Sequence, residues 1–205
     1  MPAPPAALAW AAARLPGLDL NGLASDLDRL AAELLRWNQR INLTGFRTPD
    51  EVWVGLFLDA LALLPHVQGA TLLDIGSGAG FPGLVLGLAR PELKVTLLEA
   101  RAKRVSFQKH ALRVLGLTNV HPVQGRAGDG PDAALAGTLF DTVTIKAVGD
   151  LPTSLALARP YLAPGGRILL PRGQADRAAA LAQGLSVTGY ELPPPGGKRI
   201  IVSAG

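Results

Sequence analysis

Residues 72–83 read LLDIGSGAGFPG, an apolar run carrying the carboxylate of Asp74 and then Gly76, Gly78, Gly80 and Gly83, separated by small residues, a phenylalanine and a proline. A strand that breaks into a glycine loop and enters a helix offers free backbone N–H groups to a ligand, which can approach closely where no Cβ stands in the way. The dinucleotide pattern G-x-G-x-x-G needs a glycine at position 81, where this chain has Phe81. Asp74 also argues against a pyrophosphate, which its charge repels, and for a ligand bearing an ammonium group. S-adenosylmethionine has an ammonium, a sulfonium and no phosphate. Asp74, Gly76, Gly78 and Gly80 are therefore expected to face that cofactor, the carboxylate toward its ammonium and the bare backbone toward its methionine part.

Working outward, the run KVTLLE ends in Glu99, about twenty residues past the loop, where an acid can accept from both hydroxyls of a ribose. Nicotinamide dinucleotides and S-adenosylmethionine share that ribose, so Glu99 supports a nucleoside ligand without choosing between them. GRAG, residues 125–128, falls after the next strand-like run, where an adenine is expected. Glycine loops also serve plain tight turns and strand-end acids are often solvated; it is the pair at this spacing that points to a nucleoside site.

Seven strand-like runs (TLLDI, KVTLLE, VHPVQ, FDTVTIK, GRILLPR, LSVTGYEL and KRIIVS) follow residue 70. The first five alternate with helical or looser segments, which predicts a parallel sheet covered by helices on both faces. The last two, joined through PPPGG, predict an antiparallel hairpin at one edge. Before the sheet, Leu23, Leu27, Leu30, Leu34 and Trp37 recur at helical spacing over about residues 22–38. Thr48, Pro49 and Glu51 form a capping-box start for a second helix running to about Leu64. The Ala/Pro-rich residues 1–17 are expected to form a frayed or loosely helical arm. This predicts two units: residues 1–66 as a helical extension and residues 67–205 as the ligand-binding core.

The chain has no cysteine, which excludes disulfides and thiolate chemistry, and its three scattered histidines make no metal spacing. No run of about eighteen uncharged apolar residues is present. A cytoplasmic protein without a membrane partner is expected. The net charge is only +4, but residues 100–128 contain no acid and carry Arg101, Lys103, Arg104, Lys109, Arg113 and Arg126. A one-signed segment beside the ligand loop suits an RNA backbone, although helical phase scatters such charges around the axis. Arg36 and Arg40, one helical turn apart, are further RNA candidates, as are Arg101, Lys103 and Arg104. Trp37 could stack on a base, but it continues the apolar stripe and reads better as core.

The segments WNQRINLTGFRTPDEVW, FLDALALLP, the glycine loop with its Phe-Pro, and LGLTNVHPVQGRA resemble, in order and spacing, the bacterial 16S ribosomal RNA guanine-N7 methyltransferase G family, also called glucose-inhibited division protein B. The resemblance covers roughly residues 25–203. It implies an α/β, Rossmann-like class I methyltransferase with a mostly parallel seven-stranded sheet, a C-terminal antiparallel hairpin and N-terminal helices. It also implies methyl transfer from S-adenosylmethionine to guanine N7 near the decoding region, in 16S ribosomal RNA or the small ribosomal subunit, by an enzyme expected to be monomeric. Carried over by position, the cofactor contacts are Gly76, Phe81, the backbone of Ala127 and Gly128, and Lys146. Lys146 is also the expected catalytic residue, touching phosphate or base edge beside the methyl donor.

The chain departs from the family pattern at substrate-facing positions. Where V-R-H-x-x-D-S is usual it has Val54-Gly55-Leu56-Phe57-Leu58-Asp59-Ala60, and Lys146 replaces the arginine of S-R-A. Gly128 replaces a common acid, and Gly197-Lys198-Arg199 replaces E-R-H. Two alternatives stay open at this point: a methyltransferase of another RNA or a small molecule, and a non-catalytic cofactor-binding protein that docks on RNA.

Overall fold

A computed structural model describes residues 2–128, 135 and 137–205 of the chain. Helix α1 (Pro5–Arg14) is followed by α2 (Leu20–Asn38). In α2 the stripe Leu23, Leu27, Leu30 and Leu34 is buried, and Asp19 caps the helix by accepting from the N–H groups of Asn21 and Gly22. Of the expected frayed or loosely helical arm, residues 2–17 keep the helix and are docked: Ala7, Trp10 and Ala11 of α1 are buried, and the Trp10 indole N–H donates to the Glu191 carbonyl. Trp10 and Leu15, with the small Ala7 and Ala11, supply the apolar face that docks this alanine-rich segment.

The capping box forms as its sequence predicts: Thr48 accepts from the Glu51 N–H, and Glu51 accepts from the N–H of Thr48. The helix it starts is not uniform. It runs as α3 (Pro49–Val52), a π-helical turn (Trp53–Leu58) and α4 (Asp59–Leu61). A π-helical stretch shifts side-chain phase, and such turns are frequent at functional sites.

The remaining elements are β1 (Thr71–Ile75), α5 (Gly83–Ala89), β2 (Lys94–Glu99), α6 (Ala102–Leu115), β3 (Val120–Gln124), β4 (Phe140–Ile145), α7 (Leu151–Ala158), β5 (Leu162–Gly173), α8 (Arg177–Ala182), β6 (Ser186–Leu192) and β7 (Gly197–Ala204). The seven strands lie in the order β3-β2-β1-β4-β5-β7-β6. Strands β1 to β5 pair in parallel; β7 is antiparallel to both β5 and β6. The hairpin is antiparallel as expected, with its second strand inserted inside the sheet and β6 left at the edge.

Strand alternation divides the core in two. Leu72, Val95 and Leu97 pack with Leu27, Leu30, Phe57 and Phe107 in one cluster; Leu73, Ile75, Leu98 and Val143 pack with Leu151 and Leu155 in the other. The buried side chains of α1 and α2 belong to the first cluster, continuous with one face of the sheet. The strand order reverses between β1 and β4, where an open α/β sheet leaves a crevice beyond its carboxyl ends.

Candidate functional site

A cavity of about 710 Å³ opens at that crevice. Its floor is the glycine loop, with Gly76, Ser77, Gly78 and Phe81 in the lining. Gly76 and Gly78 have φ of +64° and +60°, a conformation that side chains with a Cβ rarely adopt. A Cβ on Gly78 meets nothing nearer than 3.9 Å, so this glycine faces open cavity. Gly80 has a different task. A Cβ there meets Leu84 at 2.5 Å, and Gly80 does not line the cavity; it lets the loop close onto α5. Gln108, fully buried on α6, ties the loop down by donating to Ser77 Oγ and the Gly78 carbonyl.

Asp74 corrects the expectation of an ammonium contact. Its side chain is completely buried behind the loop, outside the cavity lining. It accepts from the N–H of Gly83, at the start of α5, at 2.9 Å and from Thr144 Oγ1 at 3.1 Å. The carboxyl holds the loop and α5 together from beneath. Burial pushes its pKa up to about 7, against the opposing pull of those two hydrogen bonds and of the Lys146 charge.

Glu99 stands at the cavity wall at the end of β2. Its Oε2 accepts from the Gly78 N–H at 2.9 Å and its Oε1 from the Arg101 N–H at 2.8 Å, with the Arg104 guanidinium 3.6 Å away. A carboxylate offers about four acceptor sites. Two backbone bonds fix its orientation and leave lone pairs for a ligand's hydroxyls, a chemistry that fits ribose. Ala127 and Leu157 line the same cavity. Gly128, with φ +90°, packs a turn beside Leu157 and is not in the lining, so of the two backbone positions only Ala127 faces the cavity.

Lys146 enters from the end of β4, and its setting could not be read from the sequence. Its Nζ lies 2.5 Å from Asp59 Oδ2 and donates to the Gly55 carbonyl at 3.2 Å. The Tyr190 hydroxyl donates to the other Asp59 oxygen at 2.6 Å. Burial and the Asp59 charge raise the Tyr190 pKa and keep the phenol protonated. Asp59 was visible as the acid retained from V-R-H-x-x-D-S; Tyr190, 131 residues away on β6, gave no signal. Ala147, next in the chain, lines the cavity with φ +56° and is the one non-glycine residue with positive φ among the described residues. Such strained positions concentrate at functional sites.

Leu43 and Thr44 also line the cavity and were missed. They are placed by Asn38, whose side chain accepts from the N–H groups of Leu43 and Thr44 and donates to the carbonyls of Thr44 and Phe46. Four bonds from one amide explain the pairing of W-N with I-N-L-T at that separation. In the π-helical turn, Leu56 lines the cavity where the family pattern has histidine. A Cβ on Gly55 meets the Phe46 ring at 2.5 Å, so this ring occupies the space an arginine there needs. Of the expected RNA contacts, Arg101 and Arg104 line the cavity; Lys103, Arg36 and Arg40 line neighbouring hollows.

The family rRNA small subunit methyltransferase G matches over residues 23–188. The ribosomal RNA small subunit methyltransferase G of Myxococcus xanthus is 44% identical over 186 residues, covering 86% of this chain and 85% of its own. That of a Geobacter species is 37% identical over 199 residues, covering 92% and 90%. Among solved structures, an O-methyltransferase from Bacillus cereus in complex with SAH superposes with a TM-score of 0.60 at 18% identity, covering 95% of this chain and 94% of that one, a likeness of fold. With the motifs, the sheet order and these matches in agreement, the chain belongs to the rRNA small subunit methyltransferase G family.

Proposed function

We propose that this protein methylates N7 of a guanine near the decoding region of 16S ribosomal RNA, using S-adenosylmethionine. The observation that carries the reading is Glu99, fixed by the N–H groups of Gly78 and Arg101 on the wall of a cavity floored by the glycine loop. In this reading Glu99 accepts from the ribose hydroxyls, the backbone of Gly76 and Gly78 borders the methionine part, Phe81 closes the floor, and Ala127 with Leu157 flanks the adenine.

When bound, the cofactor supplies an electrophilic methyl group; guanine N7 has an in-plane lone pair and no proton to lose, so the protein needs no general base. What its residues supply is position, worth up to about 7–11 kcal/mol in favourable cases. An ammonium has three donors. Lys146 spends one on Asp59 and one on the Gly55 carbonyl, and its third is directed to an RNA phosphate or the guanine edge. The reading includes a monomeric, cytoplasmic enzyme acting on naked 16S RNA or on the small subunit.

The apolar Leu56 and the ring-filled space over Gly55 favour a second reading, in which the altered wall takes a different RNA or a small molecule. Mapping N7-methylguanine in small-subunit RNA by mass spectrometry, with and without the protein, decides between them. A site that appears only with active protein supports the first; an unmodified 16S RNA alongside methylation of another acceptor supports the second.

A further inference from the structure

The cavity does not end at Arg101 and Arg104. A second hollow, of about 290 Å³, lies between residues 41–43 and the start of α6, sharing Leu43, Arg101 and Arg104 with the first. A third, of about 340 Å³, sits between the end of α2 and α6, lined by Arg36, Trp37, Arg40, Ile41 and His110, and shares Ile41 with the second. The three lie side by side along one path of shared lining residues, from the glycine loop to the seam between α2 and α6.

Charge along this path is one-sided. Arg40, Arg101 and Lys103 are exposed and have no ion-pair partner among the described residues. The carboxylates beside it are committed: Glu99 to two backbone N–H groups and Arg104, Glu33 to Arg36 and His110. At the outer end Trp37 is only half-buried, and its ring is held in place, edge-on to Phe107 at 5.6 Å and tilted over His110 at 5.1 Å. Cations spaced along a groove with a fixed aromatic ring at one end match the chemistry of single-stranded nucleic acid, in which phosphates meet cations and a base meets a ring.

We infer that the hollow at Trp37 is a subsite for an unpaired nucleotide of the RNA substrate, its base against Trp37 and the adjoining phosphates on Arg40 and Lys103. The inference rests on the RNA methyltransferase reading and adds a second recognition point outside the target pocket. A rigid ring reduces the ordering cost of binding, and every base has a face to stack, so this subsite sets the path of the strand without reading its sequence.

The test uses the full chain and single-stranded octaadenylate. Arg40→Gln with Lys103→Gln should weaken binding about tenfold or more at low salt and flatten the dependence of log K on log salt by about 1.4, at about 0.7 for each lost phosphate contact. Trp37→Leu should weaken binding by about five- to a hundredfold and remove most of the tryptophan quenching seen on titration, while Trp37→Tyr restores affinity. Unchanged affinity for S-adenosylhomocysteine certifies that each variant is folded; should Trp37→Leu fail that check, the Arg40/Lys103 pair still decides. Variants that bind octaadenylate like the wild type overturn the subsite. So does equal affinity for an octamer duplex, or displacement of octaadenylate by polyglutamate as readily as by polyuridylate, which would mark the path as a groove for acidic peptide. Methylation of small-subunit RNA by the wild type is scored separately: its absence overturns the functional reading, and octaadenylate binding still judges the subsite.

Discussion

Asp74→Asn isolates the one fully buried carboxyl whose proton affinity the fold changes most. The native group is pushed up to about 7 from an ordinary 3.8. At about 1.4 kcal/mol per pH unit, keeping it charged in the native state costs about 4 kcal/mol. The native protein therefore holds a proton that the unfolded chain releases near pH 4. Between those pH values the folded state binds more protons, so stability falls as pH rises and levels off above about 7. Asparagine keeps an acceptor for the Gly83 N–H and a polar group for Thr144 Oγ1, but does not titrate. In urea denaturation, the stability of Asp74→Asn relative to wild type should rise by about 3 kcal/mol between about pH 5 and about pH 8. Cofactor affinity should be unchanged, because the side chain lies behind the loop. A gap independent of pH would mean that Lys146 and the hydrogen bonds keep the carboxylate charged throughout. A tenfold loss of cofactor affinity in a folded variant would return Asp74 to the ligand and refute its placement.

Gly78→Val should leave the fold largely intact, since its Cβ finds free space, yet abolish cofactor binding in calorimetry by filling the cavity floor and opposing φ +60° with a β-branched residue. Glu99→Ala should weaken S-adenosylmethionine and S-adenosylhomocysteine equally, by about 1.5–3 kcal/mol, because the charge-assisted bonds to ribose are common to both; an effect on turnover alone would remove Glu99 from the ribose. Asp59→Asn leaves a three-quarters-buried Lys146 without its counter-charge and should destabilise the protein by about 3 kcal/mol, while lowering the methyl-transfer rate at saturating cofactor more than cofactor affinity. Lys146→Ala should show the same rate-over-affinity loss and Lys146→Arg should retain activity, with single-turnover rates and cofactor titrations as the check.

Periodicity carried the fold. Seven apolar runs with turn residues between them became seven strands, and the Thr48–Glu51 capping box formed as written. What stayed hidden depends on where a side chain points and on which distant partner it meets. Asp74 and Glu99 are strand carboxylates about twenty-five residues apart that leave the same face of the sheet, yet one lies behind the loop and the other on the cavity wall: Asp74 pairs with Leu97, so Glu99 stands two residues farther along, past the level at which the Gly83 N–H covers Asp74. Lys146 was identifiable, but its anchors come from the π-helical turn and from β6, contacts that no local pattern encodes. The I-N-L-T run carries no local sign of its role, which comes from the four bonds of Asn38 that put Leu43 and Thr44 in the cavity.

The placement of β7 between β5 and β6 governs the order in which the protein can assemble. Strand β6 comes first in the chain but has no other strand to pair with until β7 supplies one, and until then β5 presents an open edge to any extended segment that reaches it. Tyr190 rides on β6, so the brace behind Lys146 is completed only when β7 has docked on both sides. The strands that carry the glycine loop and Glu99 have all their neighbours among β1 to β4, so that half of the sheet can pair before the half that braces Lys146. Until β7 docks, the edge of β5 is open to pairing with another extended segment, and the pairing of β7 closes that edge and completes the brace behind Lys146.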